Sequence, residues 1–168
     1  MSSVSGLSKT QRIRARDRAC QAAWLAYNHK QNVHYTQGPS RWEGIRKHDN
    51  ARLGEYPSYA DCSSFGTWCL WNGLWLGFQI KDTVNGLAWK AGYTGTMLKN
   101  GKPVQHLENV LRCDCVIYGK SGSTGAHVAM VVSFKGGVPY VMSHGSEAGP
   151  FFVPYNYRKD IMVIRRFI

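Results

Sequence analysis

The sequence predicts an α+β fold in which helices fill the N-terminal half and an antiparallel β-sheet fills the C-terminal half. A helical period runs over residues 9–29, a nearly uncharged segment follows at 61–73, and short β-type segments follow from residue 113. The chain has 168 residues, which fits one domain. We expect that domain to span 1–168, with a flexible N-terminus at 1–8.

The first helix is predicted at residues 9–29. Ser8 is suited to cap its start. Apolar residues recur near the helical period on one face, which should pack on the body of the protein: Ile13, Cys20, Trp24 and Tyr27. Residues 32–59 carry glycine and proline among polar residues without a sustained period, which indicates a long ordered loop.

The second helix, at residues 61–73, is apolar nearly all round and must therefore be buried. Asp61 is the only charged residue between positions 56 and 80 and can cap the helix start. Gly73 can end the helix. A further short helix is predicted at residues 84–91, before a turn at 92–95.

Four strands are predicted in the C-terminal half, because short segments rich in Val, Ile, Met, Phe and Tyr alternate with glycine-containing turns. The segments are residues 113–118, 127–134, 138–143 and 161–166. The tight turn at 134–137 makes the second and third strands a hairpin. The sheet is therefore antiparallel, and the buried helix should lie on it.

Charge distribution suggests an anionic partner. The chain has 21 Lys and Arg against 10 Asp and Glu, a net charge of +11, and the surplus leans toward the N-terminal third. The sequence has no zinc-finger spacing, RNP motif, Walker loop or GxGxxG, so a specific nucleic-acid partner is not expected. The apolar stretch at 70–78 is too short for a membrane span.

No secretory signal precedes the first helix, since the N-terminus lacks an apolar segment and a cleavage site. We therefore expect synthesis in a cytoplasm without an export signal.

The five cysteines include no CxxC pair, and Cys113 and Cys115 would point to opposite faces of a strand. No metal and no cofactor are expected.

Cys62 is the candidate nucleophile. At the first turn of a buried helix its sulfur faces unpaired backbone N–H groups, which predicts a lowered pKa and part of an oxyanion hole. Cys69, two turns further on, is more typical of core packing. His127 and His144 are the candidate bases, because they open and end two strands of the predicted hairpin, where imidazoles on one face could touch.

These residues resemble a known family, the NlpC-type cysteine peptidases, which are papain-like enzymes that cut the peptide stems of bacterial peptidoglycan. Three segments match the family's nucleophile helix, its G-D-L strand and its H-V strand: Asp61-Cys62-Ser63-Ser64-Phe65, Cys113 to Gly119 and His127 to Val132. A looser match at residues 32–38 nominates Tyr35. Cys113 stands where the family usually has Gly, and Cys115 where it usually has Leu.

The resemblance implies a papain-like fold with Cys62 as nucleophile, His127 as general base and then acid, and His144 as the residue that orients the imidazole. Tyr35, Asp61 and Ser63 would lie on the oxyanion and substrate-binding side. The resemblance also implies a bacteriolytic endopeptidase that opens a stem-peptide amide, between D-glutamate and the diamino acid.

Segments near Gly95 and at 145–150 resemble phage variants, which implies the catalytic domain of an endolysin without a wall-binding module. The enzyme would stay in the host bacterial cytoplasm until release to the cell wall. Its partners would be the peptidoglycan stem peptide and, through charge, an anionic wall polymer, with the protein a monomer.

Three alternatives stay open at this stage. An N-acetylmuramoyl-L-alanine amidase could use the same Cys/His fold. A zinc amidase could use His127, His144 and Asp114, although the sequence has no HExxH spacing. A basic module that binds wall polymer or nucleic acid would catalyse nothing.

Overall fold

The computed structural model describes residues 6–43, 45, 50–74, 82–146 and 148–168. The described residues form four α-helices: α1 (Lys9–Asn28), α2 (Ser40–Glu43), α3 (Cys62–Leu74) and α4 (Thr94–Lys99). Short 3-10 turns lie at Lys30–Asn32, Asn50–Leu53 and Leu107–Asn109. Within these residues, no helix combines the length and apolar character that crossing a membrane requires.

Eight strands form two sheets in the described chain. Two short strands pair in parallel: β1 (His34–Tyr35) and β2 (Tyr59–Ala60). Six strands form an antiparallel sheet in the order β3-β8-β4-β5-β6-β7: β3 (Lys102–Pro103), β4 (Cys115–Tyr118), β5 (His127–Lys135), β6 (Val138–Ser143), β7 (Phe151–Pro154) and β8 (Ile161–Arg166). The predicted α+β class, with helices before an antiparallel sheet, is confirmed.

Helix α1 begins as predicted at a Ser8 cap, where Ser8 and Gln11 form a reciprocal capping box. Its buried face is narrower than expected, because Ile13 is exposed and the fully buried positions are alanines and Cys20. These small side chains allow α3 to approach closely. A Cβ added at Gly73 of α3 would lie only 2.3 Å from the Ala15 carbonyl oxygen.

Helix α3 is the centre of the core, and all of its residues are buried, as predicted from its apolar sequence. It packs on β5 on one side and on α1 on the other. The core on this side of the sheet includes Phe65, Trp68, Val128, Met130 and Met142. The α3 start is thereby held against the N-terminal end of β5.

The short helix predicted at residues 84–91 is absent, since these described residues form turns and the helix lies later, as α4. Asp82 explains the difference. Its Oδ1 accepts hydrogen bonds from the Val84 backbone N–H at 2.9 Å and from Trp71 Nε1 at 3.1 Å, and its Oδ2 accepts from Asn85 Nδ2 at 2.9 Å. Such side-chain bonds to the local backbone compete with helical ones.

Two features of the sheet differ from expectation. Strand β4 begins at Cys115 rather than at 113, because Cys113 has a φ of 74°, in the left-handed region, which costs a non-glycine residue about 1–2 kcal/mol. Strand β7 was not predicted. Its sequence does not alternate between apolar and polar residues, and all four residues are half-buried in the structure. The strand is therefore recognised only by its pairing with β6.

Candidate active site

Asp61 caps α3 and places Cys62 at the first position of the helix. Its Oδ1 accepts hydrogen bonds from the Ser64 backbone N–H at 2.7 Å and from Ser63 Oγ at 2.9 Å. The Asp61 N–H in turn donates to Ser64 Oγ at 2.9 Å. The cap is therefore reciprocal, and it fixes the entry of the chain at Cys62.

Arg41 neutralises the capping carboxylate. Its Nη1 lies 2.7 Å from Asp61 Oδ2, and its Nη2 donates to the Gly92 carbonyl at 3.0 Å. One guanidinium thus ties α2, the α3 start and the segment before α4 together. Asp61 acts structurally here, as a cap beside the nucleophile.

The Cys62 thiol is nearly buried, with 7% of the residue exposed, and its Sγ lies 3.9 Å from Thr94 Oγ1. Burial raises the pKa of the Cys62 thiol, and the Asp61 carboxylate raises it further. Hydrogen bonding to the Val128 and Ser63 backbone and to Thr94 acts in the opposite direction but is outweighed. The lowered pKa expected from the helix position alone was wrong, and the resting group is a thiol that needs a base.

His127 is the first residue of β5, at the N-terminal end of that strand, and is 6% exposed. Ser143 Oγ lies 2.7 Å from His127 Nε2 and 3.0 Å from the Tyr157 hydroxyl. Gly145 lies against the ring, since a Cβ there would be 3.0 Å from His127 Cε1. With Nε2 taken by Ser143, Nδ1 is the nitrogen left to exchange a proton with a thiol.

The electrostatics keep His127 neutral. Burial lowers the pKa of His127 to about 4, and the positive charge of Arg158 and the His144 ring act in the same direction. At neutral pH the imidazole is therefore unprotonated and able to accept a proton. The site at rest consists of a neutral thiol and a neutral base.

Among the described residues no hydrogen bond joins His144 to His127, although the resemblance makes His144 the residue that orients the imidazole. Its ring packs on Tyr35 and Phe65, with ring centroids 5.5 Å apart in both pairs. Its Nε2 lies 3.4 Å from the His34 carbonyl oxygen, and its fully buried Nδ1 has no hydrogen-bond partner among the described residues.

The reason is strand geometry. Successive residues of a strand point to opposite faces, so Ser143 and the following His144 cannot both face the same imidazole. Ser143 pairs with Ala129 across the hairpin and turns toward His127. In the structure Ser143, rather than His144, is the side chain that contacts the imidazole.

Tyr35, which the resemblance nominates for the oxyanion side, lies on β1 beside the segment that leads into α3. The β1–β2 pairing aligns Tyr35 with Ala60, two residues before Cys62. Its hydroxyl accepts a hydrogen bond from Gln37 Nε2 at 3.0 Å. Burial raises the pKa of Tyr35, and a negative charge on Cys62 would raise it further, which places the phenol within electrostatic reach of the sulfur.

Sequence reasoning missed Ser143, Tyr157 and Thr94. Strand alternation in β6 could have identified Ser143, since it lies on the other face from His144. Tyr157 comes from the segment between β7 and β8, and Thr94 starts α4. The Tyr157 segment was not assigned a structure from sequence, and Thr94 was placed in a turn rather than at a helix start, so no local signal placed either side chain near Cys62.

A metal centre made of His127, His144 and Asp114 is not what the described residues form. Arg166 binds both carboxylate oxygens of Asp114, at 2.8 and 2.7 Å. His127 and His144 have the separate partners given above. Across the described ranges, no group of three or more His, Cys, Asp or Glu side chains could hold a metal ion.

Solved structures show the same fold. NlpC2 and NlpC1 from Trichomonas vaginalis superpose with TM-scores of 0.54 and 0.53, at 15% and 18% identity, covering 89% of this chain and 47% and 44% of theirs. A Staphylococcus aureus protein described as similar to lipoprotein, of the NLP/P60 family, gives a TM-score of 0.50 at 13% identity over 96% of this chain and 43% of its own. The chain thus has an NlpC/P60-type, papain-like fold and spans less than half the length of these proteins.

By sequence, no family model matches the chain, and no curated protein matches it.

Proposed function

We propose that this protein is a cysteine endopeptidase that hydrolyses an amide bond in the stem peptide of bacterial peptidoglycan. The observation that supports it most is that Cys62, at the capped start of α3, is hydrogen-bonded to the backbone of Val128, the residue that follows a neutral His127 at the start of β5. The likeness to NlpC/P60 structures supplies the substrate class.

In the proposed mechanism His127 Nδ1 takes the Cys62 proton as the sulfur attacks the substrate carbonyl. The first-turn N–H groups of α3 that the Asp61 cap leaves unused stabilise the oxyanion, and the Tyr35 hydroxyl lies on the same side. The imidazolium then protonates the leaving amine. Water, deprotonated by the same imidazole, hydrolyses the acyl-enzyme and restores the thiol.

Ser143 and Tyr157 are positioning residues in this proposal. In the tautomer that the mechanism uses, Nε2–H donates a hydrogen bond to the Ser143 hydroxyl 2.7 Å away, and this hydroxyl shares a second hydrogen bond with the Tyr157 hydroxyl at 3.0 Å. This arrangement accommodates the neutral tautomer in which Nδ1 is unprotonated, and it holds the ring in place. His144, packed against Tyr35 and Phe65 beside the His34 carbonyl, instead supports the position of Tyr35.

The proposed scissile bond joins D-glutamate to the diamino acid. Digestion of purified peptidoglycan should therefore create a new amino group on the diamino acid, visible by mass analysis of the fragments. Iodoacetamide should abolish the digestion, since it alkylates the nucleophilic sulfur, and EDTA should leave it unchanged.

Other outcomes separate the alternatives. Release of whole stem peptides from muramic acid would indicate the amidase that shares this fold. Loss of activity with EDTA, together with resistance to iodoacetamide, would contradict the cysteine mechanism and favour a zinc enzyme.

We further propose that the positive charge docks the enzyme on an anionic wall polymer, as an endolysin released from the cytoplasm of a phage-infected bacterium would require. Lys9, Arg14 and Arg18 are exposed on α1, whereas Cys62, His127 and Ser143 lie in buried surroundings. Attraction through exposed charges is screened by salt, while chemistry in a buried site is screened much less.

Salt should therefore slow lysis of whole walls by about tenfold between 50 and 300 mM, while cleavage of a short soluble stem peptide changes little. Replacing Arg14 and Arg18 with Gln should flatten the salt dependence on walls and leave peptide cleavage unchanged. The same salt response on both substrates would remove the docking role without touching the catalytic proposal.

A further inference from the structure

Four of the five cysteines lie away from the candidate active site, where α1, α3 and the start of β4 meet. They are Cys20 on α1, Cys69 on α3, Cys113 just before β4, and Cys115 within it. Two of these thiols touch each other: Cys20 Sγ and Cys113 Sγ are 3.6 Å apart, although the residues are 93 positions apart in the chain. Cys115 Sγ contacts the Cys113 carbonyl instead, at 3.8 Å.

The backbone holds Cys113 in this place. The φ of 74° at Cys113 keeps the residue out of the β4 strand, and its N–H donates to the Val131 carbonyl at 2.7 Å. Its thiol lies 3.2 Å from the Arg16 carbonyl, so the side chain reaches the α1 backbone. Glycine is the residue that adopts this conformation freely, yet the position carries a cysteine that contacts α1.

The two thiols differ in reactivity. The hydrogen bond from Cys113 and the nearby Arg112 charge favour the Cys20 thiolate, and they lower the pKa of Cys20 although burial opposes them. Burial raises the pKa of Cys113, which keeps its proton. Arg112 is itself held by an ion pair with Asp17, on the same helix as Cys20.

We propose that Cys20 and Cys113 form a dithiol–disulfide pair that covalently joins α1 to the sheet under oxidising conditions. The oxidant is a low-molecular-weight disulfide such as oxidised glutathione. The Cys20 thiolate attacks one of its sulfurs and releases one glutathione thiolate. Cys113 then gives up its proton, attacks Cys20 Sγ in the mixed disulfide and releases the second glutathione, so two electrons pass from the pair to the oxidant.

Closing the bond requires a small movement, since the sulfurs must approach from 3.6 Å to about 2.05 Å. Cys62 is not part of this cluster. It lies seven residues before Cys69 on α3, about 10 Å along the helix axis, and its Sγ contacts Thr94. Oxidation of the pair should therefore leave the candidate nucleophile as a thiol.

Refolding the reduced full chain in reduced and oxidised glutathione tests the proposal, because Cys20 and Cys113 are only 3% and 2% exposed in the folded protein. Peptide mapping without reductant should find Cys20 joined to Cys113, with Cys62 alkylated by iodoacetamide. The thermal midpoint of the oxidised protein should exceed that of the reduced one by about 5–10 °C, since the bond closes a long loop.

Matched variants identify the pair. Cys113→Gly, which suits the left-handed backbone, and Cys20→Ala should each abolish the cross-link and the rise in midpoint. Cys69→Ala should keep both. Mapping that finds Cys20 and Cys113 unpaired in oxidised wild-type protein, or joined to other cysteines, would overturn the proposal, as would an oxidised form no more stable than the reduced one.

Discussion

Replacement of Cys62 with Ala should reduce peptidoglycan hydrolysis by about 10⁴-fold or more, because the proposed acyl-enzyme forms on the Cys62 sulfur. The folded structure should survive. Cys62 contributes one small buried side chain at the edge of α3, whereas the Asp61 cap that starts the helix uses only Ser63 and Ser64. Fragment release from purified walls measures the loss, and circular dichroism checks the fold.

Cys69→Ala is the matched control for this variant, since Cys69 lies on the same helix and is also buried. It should keep wild-type activity and lose about 1 kcal/mol of stability through the small cavity. If Cys62→Ala hydrolysed walls at the wild-type rate, the enzyme proposal would fail and a binding module would become the better explanation.

Replacement of His127 with Ala should lower kcat by about 10³-fold, because the neutral thiol of Cys62 depends on this base. Ser143→Ala should lower kcat by about tenfold with little change in KM, since the hydroxyl orients the ring without touching substrate. Ser143→Thr keeps a hydroxyl and should restore most of that loss. Initial rates on a soluble stem peptide separate kcat from KM.

His144→Gln provides the comparison that decides between the two orienting residues. Because His144 is fully buried against Tyr35 and Phe65, this variant should lose stability and raise KM more than it lowers kcat. A selective loss of kcat in His144→Gln, with wild-type kcat in Ser143→Ala, would restore the assignment that the sequence resemblance implied.

The pH profile of the wild-type enzyme follows from the same imidazole. Because burial lowers the pKa of His127 to about 4, the neutral base persists well below neutral pH. Activity should hold from pH 7 to about 5 and fall as His127 takes up a proton near pH 4. The unfolded chain, with a histidine pKa of about 6.5, binds this proton at higher pH, so His127 contributes a loss of stability between about pH 6.5 and pH 4, and folding must be monitored alongside activity.

The proposed nucleophile and base could be selected from the sequence because their signals are local. A cysteine directly after a capping aspartate, at the start of an uncharged helix, is expected in the first turn of that helix. A histidine at the head of an apolar strand likewise lies at the end of a sheet. The structure places Cys62 and His127 at those two ends.

The protonation state of Cys62 could not be predicted in this way. The helix start argues for a lowered pKa, but burial of the sulfur and the adjacent carboxylate reverse the direction. The burial of Cys62 depends on neighbours such as Thr94 and Val128, which are distant in sequence and come together only when the chain folds.

The sequence by itself determined the fold class, the buried helix and the positions of the proposed nucleophile and base, because hydrophobic period and helix capping act over a few neighbouring positions. Tertiary structure alone decided that Ser143 contacts the imidazole, that Tyr157 contacts Ser143, and that Cys113 meets Cys20. Both sets of contacts depend on the face of its element on which a side chain lies and on the residues of another segment that pack opposite it. These contacts arise from pairing and packing between segments that are distant in sequence, and no local sequence pattern predicts them.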